Sequence, residues 1–309
     1  MNPFTKIPSA SVAALGEEKL IAAIRRWLGS ASPQAPFGIG DDCAVLPASR
    51  APQLITIDPV IYREHFNDLI PPHAAGAKLF KRNLSDIAAM GGRPRAAVVA
   101  LALDRRVKLE WLERFYRGLA AVSRRHGVPL VGGDIAHHRG GIVATLTLVG
   151  EAAAKRVITR TGARVGDSVW VTGTLGNSLR SGHHWKFSPR LAEGQWLARR
   201  RGVRAMIDIS DGLAKDLRAL APRGAVAALD PGAVPRRAGA TLAAALGEGE
   251  DYELVFALTA RADREKFARA WRRKFPRTRL SCLGRFVRAG TLPAGAFNLA
   301  DYRGFEHLR

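Results

Sequence analysis

Cysteine is almost absent from this 309-residue chain: Cys43 and Cys282 lie far apart and form neither a Cys-x-x-Cys pair nor a disulfide framework. That excludes a disulfide-stapled secreted scaffold, fits a reducing cytoplasm and leaves both thiols as small core residues. Long hydrophobic runs are missing too. The longest, residues 96–103, falls far short of the roughly 20 residues a membrane-spanning helix needs and reads as a buried strand. The N-terminus has no charged start followed by an apolar core. Leu20, Ile21, Ile24, Trp27 and Leu28 recur at helical spacing instead, so no export signal is expected and the reading is cytoplasmic. There is no Walker Gly-x-x-x-x-Gly-Lys-Ser/Thr, no Rossmann Gly-x-Gly-x-x-Gly, no His-Glu-x-x-His and no nucleophile elbow. The pairs His137-His138 and His183-His184 lack zinc-ligand spacing and read as loop histidines.

Acid is scarce as well, with 27 Asp and Glu against 48 Lys and Arg and a net charge of +21. So basic a surface can serve a polyanionic partner. No recognition motif or stacking aromatics accompany Arg199-Arg200-Arg201, Arg236-Arg237 or Arg272-Arg273-Lys274, so these clusters read as solvated faces and no nucleic acid is expected. With 47% hydrophobic and 24% charged residues the composition is that of a folded globular chain, long enough for two domains. The pattern of small and charged residues near 151–160 marks a boundary, giving 1–152 and 153–309.

The few acids stand in telling places. Gly38-Ile39-Gly40-Asp41-Asp42 sets two repelling carboxylates behind two glycines, which suits a bound cation or an ordinary turn. Leu54-Ile55-Thr56-Ile57-Asp58 alternates as a strand ending on an acid and stopped by Pro59. A helix from Pro71-Pro72 to Gly91-Gly92 contains Asn83-Leu84-Ser85-Asp86, three short polar residues that compete with the helix backbone and read as a frayed, exposed turn. Pro129-Leu130-Val131 runs into Gly132-Gly133-Asp134, an acid at a strand end. A strand over 205–209 leads to Asp208-Ile209-Ser210-Asp211-Gly212 before a helix, where a phosphate would be welcome at the helix start only with a metal between it and the two acids. Gly249-Glu250-Asp251-Tyr252-Glu253 precedes another strand. Singly each acid reads as a turn residue or cap; as a set they suggest a Mg²⁺-phosphate site.

In order and register, five of these six stretches, all but Leu54 to Asp58, resemble, together with Tyr302-Arg303-Gly304-Phe305-Glu306-His307, the thiamine-monophosphate kinases, relatives of aminoimidazole-ribonucleotide and selenophosphate synthetases. The resemblance covers nearly the whole chain. It implies two α/β domains: an N-terminal ATP- and Mg-binding domain whose sheet joins that of a partner into a dimeric β-barrel, and a C-terminal α/β domain. It implies a homodimer, ATP as co-substrate, several Mg²⁺ ions, and direct in-line transfer of the γ-phosphate to thiamine monophosphate with no covalent nucleophile. By position, Asp42, Thr56, Asp58, Asp86, Asp134, Asp208 and Asp211 would bind metal; Gly133, Arg160 and Ser210 would contact ATP; His65, Glu250 and Phe305 would hold the thiamine phosphate. Ile57 and Ile135 stand where the family carries hydroxyls, and the segment 176–189 is shorter than in the family. Another acceptor within the superfamily, or a weakly active paralogue with a binding role, are the alternatives.

Overall fold

The computed structural model describes residues 1–40, 43–293 and 299–306. Packing divides the chain into two units, residues 1–84 with 94–151, and residues 85–93 with 152–309.

The first unit holds α1 (Gly16–Leu28), β1 (Gln53–Ile61), α2 (Pro72–Ala89), β2 (Gly92–Leu103), α3 (Leu109–His126), β3 (Leu130–His137) and β4 (Ile142–Ala152), the last turn of α2 passing into the other unit. Its four strands run in the order β1-β4-β2-β3, with β1 antiparallel to β4 and β2 parallel to β3. Helices α2 and α3 cross at two glycines. A Cβ at Gly76 would collide with the Phe115 carbonyl and one at Gly118 with that of His73, so only glycine permits this approach. Phe66, Trp111 and Phe115 stack in sequence beside that crossing, at ring separations of 5.7 and 5.4 Å.

Several expectations change here. Strand β1 does not stop at Pro59 but continues to Ile61, which is allowed because β1 is an edge strand and the missing proline N–H leaves no ladder partner wanting. Residues 96–103 are buried on one face only; Val98 and Ala100 on the other are exposed. Asp134 is not at a strand end but in mid-strand, where Gly133 packs so tightly against the Val99 carbonyl that no side chain would fit. Cys43 is exposed and Cys282 half-buried, so neither is a core residue.

The second unit carries β5 (Ser168–Thr172), α4 (Ser178–Ser181), α5 (His183–Lys186), α6 (Leu191–Ala198), β6 (Val203–Asp208), α7 (Leu213–Leu220), β7 (Ala225–Leu229), α8 (Leu242–Gly247), β8 (Leu254–Leu258), α9 (Arg264–Lys274) and β9 (Leu280–Arg288). Its strands form an antiparallel sheet in the order β6-β8-β5-β9-β7. Alternation sorts each strand between two faces. Val169, Val171, Val255 and Ala257 join a core with Leu213 and Leu217 of α7 and Leu246 of α8. Trp170 and Phe256 point the other way and meet Phe267 of α9, which also meets Trp196 of α6. With both faces covered, β5 and β8 are buried along their whole length, and β8 is apolar throughout.

Candidate functional site

In the second unit the site grows from the β6–α7 turn. Asp208 ends β6 and is buried, and Ser85 in the last turns of α2 donates its hydroxyl to Asp208 Oδ2 at 2.6 Å. Asn83 and Ser85 are therefore buried, not the frayed surface expected of them; Asn83 satisfies its amide N–H₂ on the Leu79 carbonyl at 3.0 Å, within its own helix. Asp86 follows in the same turn and is half-buried. Asp211 pairs with Lys215 at 2.8 Å, and its backbone N–H reaches Asp216 Oδ2 at 3.0 Å. Burial first, then the negative charge of Asp208, push the Asp216 carboxyl up to about 8.

Two other segments close on this turn. The Glu250 N–H donates to the Ser210 carbonyl at 2.7 Å, and the Phe305 N–H to the Asp211 carbonyl at 2.9 Å. Glycines make the approach possible: a Cβ at Gly249 would stand 2.5 Å from the Ser210 carbonyl, and one at Gly304 2.6 Å from that of Asp211. The Phe305 ring is about half exposed. Ser210, Asp211, Glu250 and Phe305, drawn from three distant stretches of sequence, are thus neighbours. Arg160 lies exposed, one residue after Thr159, whose carbonyl accepts the Met206 N–H of β6.

The Gly249–Glu253 motif divides its acids by role. Asp251 is fully buried, accepting from the Gly176 N–H and from Arg237 at 2.8 Å. Glu253 is buried against Arg190 and accepts the Thr172 hydroxyl at 2.6 Å. Tyr252 stacks on Phe187 at 4.0 Å. Glu250 alone keeps its carboxylate partly open, and it meets the buried ring of His184 at 3.2 Å. Sequence reading missed His184: a histidine pair in a polar stretch carries no signal of burial, and the reading of both as loop residues is overturned by their place in α5.

In the first unit, Thr56 and Asp58 lie on edge strand β1. Asp58 pairs with Arg82 at 3.3 Å, and Arg82 also donates to the Pro59 carbonyl at 2.7 Å. His65 closes the turn after β1, its Nδ1 accepting the Ile61 N–H at 3.2 Å, which leaves Nε2 as the protonated nitrogen of the neutral ring. Gly133 and Asp134 lie on β3, at the opposite edge of the sheet. Three strand spacings, about 14 Å, separate β1 from β3, so Asp58 and Asp134 of one chain cannot share an ion. Gly133, Asp134 and Ile135 line a cleft of about 590 Å³ together with Gly40, Ile24 and Val99. Asp42 lies outside the described residues.

Among the described residues, no three His, Cys, Asp or Glu side chains are grouped to hold a metal. The donors present nonetheless fit Mg²⁺: all are oxygens, the acids around Asp208 repel one another, and Mg²⁺ takes one or two carboxylates with phosphate and water completing its shell.

Residues 40–152 match the family model described as AIR synthase related protein, N-terminal domain. Thiamine-monophosphate kinase from Stenotrophomonas maltophilia superposes with a TM-score of 0.74 at 27% identity, covering 86% of this chain and 94% of that one. AaThiL complexed with AMPPCP and TMP gives a TM-score of 0.70 at 28% identity over 96% of this chain and 98% of its own. Residues 40–152 thus form a domain of the AIR-synthase-related class. Thiamine-monophosphate kinase from Salmonella typhimurium is 35% identical over 79% of this chain and 82% of its own, and that from Haemophilus influenzae 30% identical over 96% and 99%. The chain belongs to the thiamine-monophosphate kinase family.

Proposed function

We propose that the protein transfers the γ-phosphoryl group of ATP directly to the phosphate of thiamine monophosphate, giving thiamine diphosphate and ADP in thiamine diphosphate biosynthesis. The observation that carries this is the meeting of three segments in the second unit, where the Glu250 and Phe305 backbones are bonded to Ser210 and Asp211. That arrangement sets a phosphate-and-metal turn beside a carboxylate and an aromatic face, the two groups that suit a cationic heteroaromatic ring. AaThiL complexed with AMPPCP and TMP supports the same pair of substrates.

Two polyanions must approach each other, so the reaction is governed by positioning and charge neutralisation. Bound Mg²⁺ supplies that neutralisation, with Asp208 and Asp211 in the second unit and Asp42, Thr56, Asp58, Asp86 and Asp134 as further ligands. Gly133, Arg160 and Ser210 contact ATP, and His65, Glu250 and Phe305 hold the thiamine phosphate. The acceptor phosphate is ionised near neutral pH, so no side chain has to serve as nucleophile or strong base. Residues 1–152 serve ATP and Mg²⁺ binding and dimerisation, and the protein works in the cytoplasm as a homodimer. Ile55 and Ile57, 75% and 63% exposed on β1, support a partner sheet there, since leaving two such side chains in water forgoes about 1.5–3 kcal/mol each.

Incubation with Mg-ATP and thiamine monophosphate tests the reading: thiamine diphosphate and ADP should appear in equal amounts. Turnover of an aminoimidazole-type acceptor instead would overturn it.

A further inference from the structure

Glu250 sits on a strained and heavily fastened loop. Its φ is 63° and that of Tyr252 is 51°, left-handed values that cost a non-glycine residue energy and persist only where surroundings impose them. The fastening comes from two sides. On one, the Glu250 and Tyr252 N–H groups donate to the Ser210 and Ile209 carbonyls at 2.7 and 2.8 Å. On the other, the stretch from Ser178 to Phe187 grips the loop at successive points. The Ser178 hydroxyl donates to the Glu250 carbonyl at 2.6 Å, His183 Nε2 lies 3.0 Å from the Asp251 carbonyl, and Phe187 stacks on Tyr252.

Within that grip the backbone of Glu250 is set, but its side chain has three torsions of its own. His184 contacts the carboxylate, Nδ1 to Oε2 at 3.2 Å, from a ring that is itself buried. A carboxylate only accepts, so Nδ1 carries the proton, and with one oxygen held the direction of the other follows. We propose that His184 is a positioning residue for substrate binding, aiming the Glu250 carboxylate at the cationic ring system of the acceptor and thereby setting affinity for thiamine monophosphate but not for ATP. The proposal rests on Glu250 being an acceptor ligand, as in the proposed function.

The test is steady-state kinetics of the full-length protein, varying thiamine monophosphate and ATP in turn, for wild type, His184→Asn, His184→Gln, His184→Ala and Glu250→Gln. The Asn amide nitrogen falls where Nδ1 was and the Gln nitrogen where Nε2 was, which makes this pair diagnostic even where Ala fails to fold. His184→Ala and His184→Gln should raise KM for thiamine monophosphate about tenfold, the scale of a hydrogen bond to a charged group, with KM for ATP within twofold of wild type. His184→Asn should stay within about threefold. In a Glu250→Gln background, His184→Gln should add little further, because the two side chains act as one. Wild-type KM for the acceptor in folded His184→Gln, equal rises in both KM values, or full additivity with Glu250→Gln would each overturn the role of His184. An inactive wild type would instead overturn the kinase reading, and this role with it.

Discussion

Ser85 and Asp208, 123 residues apart in sequence, share a buried hydrogen bond of 2.6 Å that ties the end of α2 to the last residue of β6. A hydroxyl donating to a buried carboxylate supplies a hydrogen bond that the oxygen would otherwise lack.

Ser85→Ala should therefore lower stability by about 1–3 kcal/mol, because the buried Asp208 carboxylate loses a donor that water cannot replace. Urea unfolding monitored by circular dichroism measures this. An unchanged midpoint and slope would show that Asp208 is held by other groups in solution.

Asp86, in the same helical turn, separates a metal ligand from a structural acid. If it holds Mg²⁺, Asp86→Asn should leave the nucleotide-free protein as stable as wild type or slightly more so, because a charge among repelling acids is gone. The thermal shift given by Mg-ATP should shrink, since that shift follows ligand concentration relative to Kd, and turnover should fall by orders of magnitude. Melts of both proteins with and without Mg-ATP decide the matter. A destabilised variant with an undiminished nucleotide shift would end the metal role of Asp86.

The exposed isoleucines of β1 bear on assembly. Light scattering at micromolar concentration should give the mass of a dimer for the wild type, and Ile55→Lys with Ile57→Lys should halve it, because charges on a face meant to be covered stay unpaired and desolvated. A monomeric wild type would show that these side chains face water in the working protein.

Much of the fold was legible in the residues. Alternation gave the strand around Thr56, helical spacing gave the helix over Leu20 to Leu28, and the Pro72 start and the left-handed Gly91 bounded α2. These signals are local, which is why they survive in sequence. They failed where partners are distant: Asn83 and Ser85 looked like a frayed turn because their burial depends on residues far along the chain.

The candidate site divides the same way. The sequence alone placed the acids at glycine-flanked turns, excluded the common nucleotide signatures and carried the family motifs in register. Only the tertiary structure decided which acids are available. In Gly249–Glu253 three acids look alike on paper, yet Asp251 and Glu253 are consumed by Arg237 and Arg190 while Glu250 stays partly open beside His184. Spacing along a chain fixes which face of an element a side chain takes. What stands opposite that face is set by segments tens of residues away, and it is this opposite partner that determines whether a carboxylate is neutralised, buried or presented to a ligand.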